Sequence, residues 1–249
     1  MTHLKTCLAW AFVLAFALVT KPAWGQAPAG PGAAEDEEEE SFTEDFMLEN
    51  CRWSTRGANP FFILEPGYRL VLEGIDDGEN TVKFVTVTDR TLHVGGVETR
   101  VVLEREFIDG ELYEVARNYF AICQQTNSVF YFGEDVDFYE DGQIIDHHGS
   151  WRAGVGGAKP GVIMPGTLLL GARYYQEIAP RVALDRAEIE SLNAVIQTPF
   201  GRFRNCLRTE ETTPLEPGLE EIKLYARGIG LVKDGPLRLV QATYVNAAE

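Results

Sequence analysis

Histidine is scarce in this chain: four in 249 residues, and His3 lies in the leader-like start, leaving His93, His147 and His148. No His-x-x-x-His and no Cys-x-x-Cys pair occurs, so a structural zinc site is not expected. The Gly-x-Ser-x-Gly elbow of serine hydrolases is missing. Ser150 stands near His148, but neighbours in sequence on a strand do not make a catalytic dyad. The phosphate-loop order Gly-Lys-Ser/Thr is also missing, because Ala158-Lys159-Pro160 stands where the glycine-rich segment carries its lysine. Positive charge is in short supply, with 22 Lys+Arg against 38 Asp+Glu and a net charge of −16. A surface this acidic repels phosphates and anionic membrane faces, which argues against a nucleic-acid partner. Beyond Val19 no apolar run reaches the ~18 residues of a spanning helix, so no membrane span is expected. A long helical stripe is lacking too; Ala179–Leu192 is the one stretch that would permit a helix.

What is present begins with a leader. Lys5 supplies a positive start, Leu8–Val19 is a twelve-residue apolar run, and Ala23-Trp24-Gly25 is a small-x-small site. This predicts a secretory signal peptide over 1–25. Residues 26–45 are rich in Pro, Gly and Ala, then acidic, and predict a disordered linker. Residues 46–249 are then a single domain. Past the leader three cysteines remain: Cys51, Cys123 and Cys206. In an oxidising compartment one disulfide and one free thiol are expected, with three pairings open.

The domain reads as strands. Asp77-Gly78, Gly95-Gly96, Asp109-Gly110 and Asp141-Gly142 each separate runs rich in branched and aromatic residues, and such pairs favour two-residue hairpin turns. The expected fold is all-β: an antiparallel meander of about eleven or twelve strands, forming a large curved sheet or an open barrel. The glycine-rich segment 152–171 reads as a long ordered loop.

The acidic stretch "YFGEDVDFYEDGQIIDHHGSW" is the densest chemistry. A turn at Asp141-Gly142 sets Asp137 opposite Asp146 and puts Asp135, Asp137, Asp146 and His148 on one face. Like charges placed opposite each other call for a compensating partner. Those four side chains are the candidate ligands of a divalent cation, the only cofactor the sequence points to. His147 falls on the apolar face and is expected in the core. Trp151, Tyr174 and Tyr175, beside the glycine-rich segment, are the candidate rim of a ligand site.

Three blocks carry a resemblance: "NPFFILEPGYRLVLEG" (59–74), "GSWRAGVGGAKPGVIMPG" (149–166) and "TPFGRFRNCLRTEETTPLEPGLEEIKLYARGIGLV" (198–232). Together they resemble a family of uncharacterised bacterial secreted proteins and lipoproteins. The likeness implies export but no activity, and it assigns no site residue. Members carry a cysteine where this chain has Thr99, so no disulfide to Cys206 is carried over.

The function expected from all this is a periplasmic or secreted binding or carrier protein for a lipid-like or small apolar ligand, acting without chemistry. A metal-binding envelope protein and a scaffold or adhesion module are the alternatives.

Overall fold

The computed structural model describes residues 41–248; the expected signal peptide and most of the linker lie outside them. The described chain is almost wholly β. One 3-10 turn, Leu48–Asn50, precedes the strands. The first three strands are short: β1 (Trp53–Ser54), β2 (Gly57–Asn59) and β3 (Phe62–Leu64). The long meander follows as β4 (Tyr68–Asp76), β5 (Glu79–Val94), β6 (Val97–Ile108), β7 (Glu111–Cys123) and β8 (Ser128–Glu140). Short pieces come next: β9 (Gln143–Asp146), β10 (Trp151–Arg152), β11 (Lys159–Met164), β12 (Arg173–Tyr175) and β13 (Glu177–Ile178). The second long run is β14 (Arg186–Gln197), β15 (Arg202–Thr212), β16 (Glu220–Ala226), β17 (Gly230–Asp234) and β18 (Leu237–Tyr244).

All but β2 and β3 join one 16-stranded sheet, in the order β12-β14-β15-β16-β17-β18-β4-β5-β6-β7-β8-β11-β13 with β1, β9 and β10 alongside. The sheet curls into a nearly closed barrel with one seam. In the middle of the path β18 pairs antiparallel with β4, which joins the last strand to the start of the meander. The edges of the path, β12 and β13, are separated only by Gln176, so the chain itself crosses the seam.

The turns follow the local chemistry. At Asp77-Gly78, Gly95-Gly96, Asp109-Gly110 and Asp141-Gly142 both residues have positive φ, the geometry whose twist matches the flanking strands. Four expectations are corrected. The described residues form eighteen strands rather than eleven or twelve, because two- and three-residue strands carry no readable alternation. The 152–171 segment is not all loop: Lys159–Met164 is β11, paired to β8 and β13. Gly161 serves close approach, since a Cβ there would collide with the carbonyl oxygens of Tyr175 and Gln176. Residues 41–45, expected in the linker, are tied to the sheet: Thr43 bridges Tyr174, and its amide donates to the Arg173 carbonyl at 3.0 Å. Ala179–Leu192 holds no helix; its second half is β14.

The disulfide joins Cys51 to Cys123, leaving Cys206 free and buried. It lies beside the pairing of Trp53 with Cys123 and brings Trp53 into edge contact with Phe130 and Phe132 at 5.2 Å each. The β2–β3 hairpin is fixed by Asn59, fully buried, which donates to the carbonyls of Asn127 (2.9 Å) and Pro165 (3.0 Å) and accepts from the Phe61 amide (2.8 Å). Its neighbours Phe61 and Phe62 are thereby presented to the barrel interior.

Candidate functional site

Strand parity decides what faces inward. On β5, Lys83, Val85 and Val87 share a face. Their register partners on β6 are Glu106, Glu104 and Val102. Those residues in turn oppose Glu114, Ala116 and Asn118 on β7, and Asn118 opposes Glu134 on β8. The inner face is therefore apolar toward one end and charged toward the other.

Between them lies a cavity of about 250 Å³. Its apolar wall includes Phe61, Phe62, Leu70, Phe120, Tyr131 and Trp151. Phe120 and Tyr131 pack with ring centroids 4.9 Å apart, and Tyr131 meets Trp151 edge-on at 5.2 Å. Trp151 is also the register partner of Glu134, which joins the aromatic wall to the charged one. The polar wall includes Lys83, Glu104, Glu134, Glu177, Lys223 and Asp234.

Asp234 is the hub of a buried ion network. Lys83 Nζ lies 2.7 Å from Asp234 Oδ2 and 3.4 Å from Glu106; Lys223 Nζ lies 3.5 Å from Asp234 Oδ1 and 3.0 Å from Glu211. Burial works against the charge on Asp234, but Lys223 and Lys83 outweigh it and hold its carboxyl below the usual range. The same balance keeps both lysines charged despite burial, since Asp234 and the neighbouring glutamates prevail.

The other carboxyls behave in the opposite way. Burial, reinforced by Glu114 and Glu104, pushes Glu134 up to about 8. Burial and Glu106 push Glu114 up to about 7. Glu177 is raised well above the usual range by burial and by Asp185, and Glu104 is raised by burial despite Lys83. Among the described residues no Lys, Arg or His lies within ion-pair distance of Glu104, Glu134 or Glu177.

These shifts set a pH dependence. Between the ordinary carboxyl value and about 8, folded Glu134 holds a proton that the unfolded chain has released. Stability is then fully present below the unfolded value and is lost as pH rises through the folded one. Asp234 has the reverse sign, its contribution being lost only in acid. The melting temperature of the ligand-free protein is expected to peak near pH ~5 and to fall steadily toward pH ~9. Circular dichroism melts across this range measure it, and a curve flat from 5 to 9 contradicts it. Glu134→Gln, which mimics the protonated form, should make the decline shallower.

The sequence-derived candidates are placed as follows. Trp151 lines the cavity. Tyr174 is buried in the core, and Tyr175 packs against Phe42 at 6.0 Å; neither is among the residues that line this cavity. The four acidic-hairpin residues are not brought together. A bulge between Phe138 and Tyr139 slips the register by one, so Asp146 opposes Phe138 rather than Asp137. Asp135 is bound by Arg152 and by the Tyr119 hydroxyl at 2.6 Å. Asp137 pairs with Arg117 at 2.8 Å and with His147 Nδ1 at 2.8 Å. Asp146 holds His148 Nδ1 at 2.9 Å and accepts from the amides of His147 and His148, ending β9. Each carboxylate already has its own partner, and among the described residues no group of three or more His, Cys, Asp or Glu is arranged to hold a metal. His147, expected in the core, is exposed at the hairpin rim, again because of the bulge. Cys206 sits in the core, and burial pushes its thiol up, away from nucleophilic reactivity.

The interior set Lys83, Glu104, Glu134, Lys223 and Asp234 is not among the candidates that the sequence offers. The one readable signal was a charge on the apolar parity of a strand, as with Lys83 beside Val85 and Val87.

No protein-family model matches this chain, and comparison with curated proteins and with solved structures finds no match.

Proposed function

We propose that this is an exported, periplasmic or secreted, binding or carrier protein that holds a small, partly apolar ligand inside its barrel. The observation that carries the reading is the cavity of about 250 Å³, with one aromatic and aliphatic wall and a few convergent polar groups. That is the arrangement of a small-molecule site, just below the usual range of ~300–1,000 Å³. It fits a short chain or a single small molecule rather than a long acyl chain.

The test is native mass spectrometry of the purified protein together with thermal shifts in a series of linear C4–C8 1,2-diols, which pair an apolar tail with a neutral head. The diols are expected to raise the melting temperature saturably. Val87→Phe, which puts a ring into the cavity wall, should abolish the shift while leaving a cooperative melt. No bound mass and no shift with any diol would overturn the reading.

A further inference from the structure

We propose that the cavity selects a ligand with a cationic amine head and an adjacent hydrogen-bond acceptor on a short apolar tail, the head set against Glu134, Glu177 and Glu104. This deepens the binding reading above and rests on it.

The charge balance inside the barrel points to a cation. Both lysines of the interior are already committed: Lys83 to Asp234 and Glu106, Lys223 to Glu211, Glu221 and Asp234. Glu104, Glu134 and Glu177 line the same cavity and have no cationic partner among the described residues. A buried carboxyl without a counter-charge keeps its proton, and a cation placed beside it takes the proton's place. The aromatic wall suits the same head, since ring faces attract ammonium groups. Tyr131 and Trp151 stand at the junction with Glu134.

A second observation is independent of the acids. Trp151 is 6% exposed, lines the cavity, and its indole N–H has no hydrogen-bond partner among the described residues. A buried donor left unmade costs free energy, so it favours a ligand that carries an acceptor. Phe61, Phe62 and Phe120 remain for the tail.

The groups facing Glu134 define the pH response. Glu104 and Glu114 face it from β6 and β7, Tyr131 from its own strand, Glu177 from β13 and Asp185 from the segment just before β14. The far wall holds Lys83, Lys223, Asp234, Glu106, Glu211 and Glu221. Binding an ammonium therefore releases a proton from the glutamate set, and affinity rises with pH below the amine's own titration.

The probe is 2-aminohexan-1-ol, titrated by calorimetry against 1,2-hexanediol and 2-hydroxyhexanoate, which replace the ammonium by a hydroxyl or a carboxylate. The amine is expected to bind about tenfold tighter than the diol at pH ~8, with proton release seen as buffer-dependent heat. Its affinity should climb about tenfold or more from pH ~6 to pH ~8, and the acid should bind worst. In Glu134→Gln the amine-to-diol ratio should fall toward one. An amine that binds no tighter than the diol, or a ratio unmoved in Glu134→Gln, overturns the proposal and leaves the binding reading standing. Binding of none of the three overturns both.

Discussion

Removal of the Cys51–Cys123 disulfide, as the double Cys51→Ala, Cys123→Ala variant, is expected to lower the unfolding free energy by about 4 kcal/mol. The two cysteines are 72 residues apart, so the bond closes a long loop in the unfolded chain. The chain-entropy relation for a loop of that length gives about 4 kcal/mol at 25 °C. The folded state loses less, because Trp53 still packs on Phe130 and Phe132 and Phe46 on Phe130. For a domain of this size the change corresponds to a melting temperature lower by roughly 10 °C. Urea unfolding of the oxidised protein and the double variant measures it. A difference under about 1 kcal/mol would mean that packing alone constrains the segment before β1. Cys206 does not complicate the comparison, since it is fully buried and its thiol titrates above the ordinary value.

Asp234→Ala is expected to cost about 3–5 kcal/mol, the range found when one partner of a buried ion network is removed. Asp234 is 4% exposed and lies against both interior lysines. Without it Lys83 retains Glu106 at 3.4 Å, and Lys223 retains Glu211 at 3.0 Å and Glu221 at 3.7 Å. Two ammonium groups must then stay buried with fewer counter-charges, and burial alone would drive them to release protons. The paired variant Asp234→Leu, Lys83→Met separates this cause from simple loss of packing. It removes an opposite pair together, and such replacements are often neutral or stabilising. The double variant should therefore melt above Asp234→Ala. If it melts lower, the ion network contributes through shape rather than charge.

The fold was legible where local chemistry and global structure agree. Asp77-Gly78, Gly95-Gly96, Asp109-Gly110 and Asp141-Gly142 all take the positive φ that their residues favour, so the hairpins of the long meander could be read directly. The short strands could not. Trp53–Ser54 and Glu177–Ile178 are too brief to show alternation and are held by partners far away in sequence. The acidic hairpin shows a sharper limit. Its turn and first pairs, Glu140 with Gln143 and Tyr139 with Ile144, follow from the sequence. One bulged residue then moves every later side chain to the other face, and composition does not report a bulge. In that stretch Asp135 belongs to the acidic face and its neighbour Glu134 to the opposite one. By strand parity Glu134 shares its face with Val136, and an acid on an apolar face was the clue.

The all-β class, the positions of the principal turns and the negative charge are local properties of the chain, because they rest on φ preferences, period-two alternation and composition. The barrel closure, the Cys51–Cys123 pairing and the interior site exist only once distant strands pack together. Lys83, Glu134, Lys223 and Asp234 lie on four strands and are brought together by register and curvature. Their shifted titration is a property of shared burial, and no one of them carries it alone along the chain.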